Sequence, residues 1–393
     1  MSLSKRIDDI EVLRAVAVLL TIIQHLPALF TWQPSFYKVM QNYFSFGCGV
    51  DLFFVISGFV IAKDLLVRLG ETHIVETKWR VLIAFWIRRA WRIFPTAWFW
   101  VLVTLLAVVG FNDSGTWGIF HSDLNDAITV LTQTENIHFL QHISHGTVDG
   151  LDVYWTLSLE EQFYIVLPFL LLLSLKRAKV ILLAIFFTQL LMLAYSYNMR
   201  FCSFAPFIMG VFLAIGHQRK MYYLIEPVFL KNTLMKILTF FLLILSLVVI
   251  AAGQALPSFP TLFMIEVIAF LLVFIASYNA NYIFPKGIVY NILTWVGTRS
   301  YAIYLIHLPA FFFARELWFR LQPPLAGHSF SGHYTLRFLL VAIAFIAIFS
   351  ELNYRLIETP FRRRGKEIAD RFVQANLPFD KAEKENIQAL PVV

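Results

Sequence analysis

The first apolar stretch, I-E-V-L-R-A-V-A-V-L-L-T-I-I-Q-H-L-P (residues 10–27), carries Arg14 and His25. In a helix, eleven residues at about 100° each leave them about 20° apart on one face and roughly 16 Å apart along the axis. An arginine fork grips phosphate, and an imidazole is a general base near neutral pH. Between them only Thr21 and Gln24 are polar. The plainer reading has Arg14 snorkelling to lipid headgroups and His25 as a hydrogen-bonded buried histidine, and spacing alone leaves both readings open.

Other segments supply partners. Asp51, in G-V-D-L-F-F-V-I-S-G-F, is of a type that orients an imidazole such as His25; an aspartate capping its own helix is the alternative. Ser57 and Gly58 in the same run read as close helix packing. In Y-W-T-L-S-L-E-E-Q-F-Y, adjacent Glu160 and Glu161 point about 100° apart, so at least one faces the interior. Such a carboxylate serves proton transfer, hydrogen-bonds a hydroxyl-rich substrate, or pairs with an intramembrane arginine. Trp155 beside them has a ring on which a sugar can stack. R-R-A-W-R-I-F-P places Arg88, Arg89 and Arg92 together, the last two on one face, for phosphate or for anionic lipid. S-Y-A-I-Y-L-I-H-L-P brings Tyr304 and His307 within one turn, either as substrate contacts or as structure. In E-L-N-Y-R-L-I-E-T-P-F, ion pairing along one helix accounts for Glu351, Arg355 and Glu358. Histidines 121, 138, 142 and 145 lack firm metal spacing and read as a solvated loop; no metal is expected.

These groups must be held by membrane helices. Of the 393 residues, 59% are hydrophobic, 17% aromatic and only 15% charged, too much apolar surface for a soluble globule. Apolar runs of about 20 residues suit a bilayer about 30 Å thick. Ten candidates follow: 11–31, 47–67, 86–110, 154–175, 180–199, 201–217, 236–254, 260–280, 293–314 and 335–356. With both termini cytoplasmic, the inner segments collect 25 of the 32 Lys and Arg residues and the outer ones five. The net charge of +7 is thereby read as topology, and no nucleic-acid partner is needed. The expected organisation is an all-α, multi-pass membrane domain over residues 1–366, with a polar cytoplasmic tail from 367 to 393. Its first span lacks the cleavage site of a removable signal peptide. A transporter or flippase for a lipid-linked glycan also combines many helices with buried charge, although no two halves carry matching interrupted helices.

Taken in order, these six motifs resemble the membrane-bound acyltransferase-3 family, which includes bacterial O-antigen and exopolysaccharide O-acetyltransferases. The likeness runs from about residue 8 to 364. It implies transfer of an acyl group, usually acetyl, from cytoplasmic acyl-CoA to a carbohydrate hydroxyl across the bacterial inner membrane. It makes Arg14, His25, Arg89 and Arg92 functional positions, with the Glu160/Glu161 pair beside them. We expect Arg14, Arg88, Arg89 and Arg92 to hold acetyl-CoA and His25 to act as base with Asp51, Glu160 and Glu161. Trp155, Tyr304 and His307 are expected to meet the acceptor. The acceptor is a lipid-linked or surface polysaccharide, with a periplasmic glucan, a lipid or a macrolide as alternatives. Many relatives carry a C-terminal esterase-like domain, and none is expected here. Transfer is therefore expected to be direct or through a separate periplasmic partner.

Overall fold

A computed structural model of the chain describes residues 6–70, 75–142, 150–253, 258–322, 330 and 332–375. In chain order its helices begin with α1 (Asp8–His25), α2 (Ser35–Gln41), α3 (Cys48–Gly70), α4 (Val75–Gly110), α5 (Phe120–Leu131) and α6 (Glu135–His142). There follow α7 (Tyr154–Leu172), α8 (Leu175–Tyr195), α9 (Ala205–His217), α10 (Lys220–Leu224) and α11 (Thr233–Ala251). The last are α12 (Ser258–Ser277), α13 (Ile288–Thr298), α14 (Ser300–Leu321), α15 (Thr335–Asn353) and α16 (Thr359–Ala375). Among the described residues there is no strand. In lipid a helix satisfies its own N–H and C=O groups, whereas an open strand does not.

Among the described residues, seven helical runs are long and apolar enough to cross a membrane: α1, α4, α8, α11, α12, α14 and the run that joins α15 to α16. The chain is an all-α, multi-pass membrane protein. Helices α3 and α7, with 23 and 19 residues, match the length of a span but carry charge. Asp51, Lys63, Asp64 and Arg68 lie in the first and Glu160 and Glu161 in the second. Helix α9 has 13 residues, about 20 Å at 1.5 Å each, less than the hydrocarbon thickness. The expected ninth span shifts to Ser300–Leu321 because the helix breaks at Arg299. The expected tail also changes: residues 367–375 continue α16, and residues 376–393 lie outside the described residues. Between α15 and α16, residues Tyr354–Glu358 form a π-helical turn.

Helix α1 packs against α3, α12, α13 and α14. Asp8, Asp9 and Glu11 occupy its first turn, where the helix dipole favours acids. At its other end, Pro27 lacks the N–H that would bond the Ile23 carbonyl. Helix α1 therefore stops at His25, and a 3-10 turn covers Leu26–Leu29. The Tyr37 hydroxyl donates to the carbonyls of Ile23 and Gln24 at 3.2 and 3.1 Å. Arg315 of α14 donates to the Ala28 carbonyl at 3.1 Å. His25 is thus held from both sides.

Helices α3 and α9 meet backbone to backbone. A Cβ on Gly58 would stand 2.1 Å from the Phe207 carbonyl oxygen, and one on Gly210 2.2 Å from that of Val55. Small residues permit this approach between membrane helices, as expected for Gly58. Gly58→Ala or Gly210→Ala should cost about 1–3 kcal/mol, seen as a lower melting temperature in detergent. The double variant should cost less than the sum, since one separation of the helices relieves both clashes.

Candidate active site

Arginines from two helices converge inside the bundle. Arg14 of α1 and Arg89 and Arg92 of α4 line a cavity of about 80 Å³ with Ser57, Glu160 and Tyr304. The three-residue spacing of Arg89 and Arg92 puts both guanidinium groups on this cavity, as expected. Arg14 is 3.2 Å from the Glu11 carboxylate one turn earlier. Arg89 lies over the rings of Tyr164 and Phe85, at 5.1 and 5.5 Å from their centroids. Glu160 accepts from the Ser57 hydroxyl at 2.6 Å and from the Tyr164 hydroxyl one turn along α7. Ser57 therefore serves the cavity, where sequence reading gave it to packing. The four-residue step from Glu160 to Tyr164 was a signal in the sequence. The 103 residues between Ser57 and Glu160 hid the other bond.

The adjacent carboxylate has a different fate. Glu161 is buried, does not line the cavity, and leaves Oε1 without a hydrogen-bond partner. Arg88 also turns away from the cavity and lines a second groove of about 380 Å³, in which Arg89 and Arg92 appear again. Those two arginines thus form the junction between the groove and the inner cavity.

At the opposite end of α1 stands a histidine pair. His25 Nδ1 and His307 Nε2 are 3.1 Å apart, and His307 Nδ1 lies 2.6 Å from the Tyr304 carbonyl oxygen. A carbonyl only accepts, so His307 carries its proton on Nδ1. A neutral His307 then offers a lone pair at Nε2, and His25 Nδ1–H donates to it. This network assigns the tautomer of a neutral His25 and leaves its Nε2 unprotonated. His307 is fully buried with both nitrogens engaged, so it positions His25 and does not meet an acceptor as expected. Tyr304 does line the cavity, but its hydroxyl accepts from Thr156 at 2.8 Å and donates to the Val153 carbonyl at 3.2 Å. The cavity itself stops short of His25. Its lining residue Val50 follows Gly49, which packs on Ala17 and Thr21, about one turn below His25.

Comparison with known proteins gives this arrangement a context. Residues 7–352 match a family described as an acyltransferase domain. The chain belongs to that family. An O-acetyltransferase of Staphylococcus aureus strain NCTC 8325, OatA, is 25% identical over 381 residues, covering 90% of this chain and 57% of that protein. YrhL of Bacillus subtilis strain 168, named provisionally as a peptidoglycan O-acetyltransferase, is 27% identical over 385 residues, 91% of this chain and 55% of its own. A further provisional O-acetyltransferase, from S. aureus strain COL, is 29% identical over 402 residues, 91% of this chain and 58% of its own. The chain thus spans little more than half the length of these relatives. No solved structure matches it.

Two further expected site residues lie elsewhere. Asp51 does not reach His25, because its carboxylate accepts from Arg200 at 3.1 Å. Burial works against the charge of Arg200, but Asp51 and Tyr197 more than offset it and raise the guanidinium pKa above its ordinary value. The two line a separate cavity of about 270 Å³. Glu266 of α12 also faces this pair. Trp155 packs among Phe54, Phe139 and Phe201 and is not part of the inner cavity. The segment read as a solvated loop is folded: Asp126, Glu135 and His138 converge, with His138 Nδ1 3.5 and 3.7 Å from the two carboxylates. His145 and the His142 side chain lie outside the described residues. Removing either member of the Asp51–Arg200 pair leaves a buried charge alone, at about 3–5 kcal/mol. Asp51→Asn and Arg200→Gln should each lower the melting temperature, and the double variant should recover part of the combined loss.

Proposed function

We propose that the chain moves an acetyl group from acetyl-CoA, taken up at its basic, cytoplasmic end, to a carbohydrate hydroxyl presented at the other end. The observation that carries this reading is the sharing of Arg89 and Arg92 between the outer groove and the narrow inner cavity. Guanidinium groups suit phosphate oxygens. A cavity of about 80 Å³ is well under the ~300–1,000 Å³ of a pocket for a compact ligand, so it favours an extended arm over a sugar ring. A donor with phosphates at one end and a thioester on a long chain fits both spaces. The same narrowness argues against passage of a lipid-linked glycan along this route.

In this reading Arg88, Arg89 and Arg92 hold the phosphates and Arg14 flanks the arm. Ser57, Glu160 and Tyr164 form a hydrogen-bonded wall along it. His25 Nε2 takes the proton of the acceptor hydroxyl as its oxygen bonds to the thioester carbonyl carbon. The C–S bond breaks, its electron pair leaves on sulfur, and the imidazolium returns the proton to that thiolate. An acetyl ester and a free thiol result. His307 supports the charged stage, because the His25 Nδ1–H bond to its lone pair becomes charge-assisted. The acceptor is a hydroxyl of a cell-envelope polysaccharide in the bacterial inner membrane or periplasm, such as O-antigen or exopolysaccharide. The names of the relatives support O-acetylation and add peptidoglycan to these classes.

With purified protein in lipid nanodiscs and labelled acetyl-CoA, His25→Ala should lower transfer about 10²–10⁴-fold; near-normal turnover would sink the assignment. His307→Gln, whose side-chain oxygen accepts the same bond, should stay within about tenfold of the parent. His307→Leu should lose kcat with an unchanged KM for acetyl-CoA. Equal loss in both His307 variants, with the fold intact, would remove the positioning role.

A further inference from the structure

The groove at the basic end has two walls. One is α4, with Arg88, Arg89 and Arg92; the other is α16, with Arg362, Arg363 and Lys366. The end of α16, from residue 367, was expected to belong to the polar tail. The helix is seated on α4 by one stripe at four-residue spacing: Phe361, Gly365 and Ala369. The Phe361 ring stacks on Trp91 at 5.9 Å. A Cβ on Gly365 would stand 2.3 Å from Trp91 Cβ, and Ala369 is fully buried. A helix fastened this way presents a fixed edge to the groove. That edge carries Arg362 and Lys366, one turn apart.

The charges on the two walls differ in their partners. Arg362 is 3.8 Å from Glu358, Arg363 3.1 Å from Glu367, and Arg88 3.9 Å from Asp370. Among the described residues, no carboxylate lies within 4 Å of Arg89, Arg92 or Lys366. Arg89 and Arg92 also line the inner cavity, whereas Arg362 and Lys366 do not. A ligand whose arm enters that cavity therefore meets the α4 arginines with its nearest phosphates. The α16 cations are left for a phosphate farther from the arm.

We propose that Arg362 and Lys366 bind the ribose 3′-phosphate of coenzyme A, while the α4 arginines take the pyrophosphate. This rests on the acyl-CoA reading and deepens it: α16 makes the donor site selective for a 3′-phosphorylated nucleotide. An anionic lipid headgroup offers similar phosphate chemistry, and the test separates the two.

Binding of coenzyme A and of dephospho-coenzyme A, which lacks the 3′-phosphate, is measured by calorimetry on the full chain in phosphatidylcholine nanodiscs. The parent should prefer coenzyme A by about 10–100-fold, the range of one or two charge-assisted contacts. Arg362→Gln/Lys366→Gln should bind both at the weaker level, and Arg89→Gln should weaken both alike. Unchanged melting temperatures keep the comparison valid, since the Arg362 and Lys366 side chains are exposed. Equal binding of the two compounds by the parent, or a preference that survives in the double variant, overturns the proposal and leaves the donor reading standing. No binding of either compound overturns both. In nanodiscs with phosphatidylglycerol, a coenzyme A preference unchanged from phosphatidylcholine supports the nucleotide. A preference abolished by the anionic lipid assigns the cations to headgroups.

Discussion

A charged or strongly polar side chain inside a bilayer persists only with a partner, and here the partners usually sit on different helices. Ser57 and Glu160 tie α3 to α7, and His25 and His307 tie α1 to α14. Asp51 and Arg200 tie α3 to the segment before α9, and Arg299 and Glu351 tie the α13–α14 junction to α15. Lipid supplies no hydrophobic drive for helices to associate, so such bonds and close backbone contacts set their order. The interactions that assemble the bundle are largely those that shape the cavity. Stability and chemistry cannot be assigned to separate sets of residues here.

Helix α1 gives the site its scale. Arg14 and His25 are fixed eleven residues apart by the helical rise, so the two groups keep a set separation of roughly 16 Å. Movement of neighbouring helices changes the width of the path between them and leaves its length alone. The cap on the Ile23 and Gln24 carbonyls keeps the upper end of this scale in place.

What the sequence made legible follows the same division. The Arg14–His25 stripe and the Arg89/Arg92 face were readable because each lies on one helix, where periodicity fixes direction. The basic end was readable because charge is counted along the chain. Asp51 was misread because its direction depends on Gly49 lying against α1 and on Arg200 arriving from 149 residues away. His307 was misread for another reason. Its spacing to Tyr304 was plain, but the direction of the proton follows only from having a carbonyl on one nitrogen and His25 on the other. Helix α16 was hidden by its polarity: only Phe361, Gly365 and Ala369 betray the stripe that packs on α4, and the middle one is a poor helix former.

The π-helical turn at Tyr354–Glu358 has a consequence for how this chain tolerates insertions and deletions. Such a turn holds one residue more than an α-helical turn of the same rise, which advances everything after it by about 100°. Loss of one residue there would barely alter composition, hydropathy or length. It would rotate α16 out of phase, lifting Gly365 off Trp91 and turning Arg362 and Lys366 toward lipid or water. The angular register of the last helix is stored in five residues that contain none of the groove's cations.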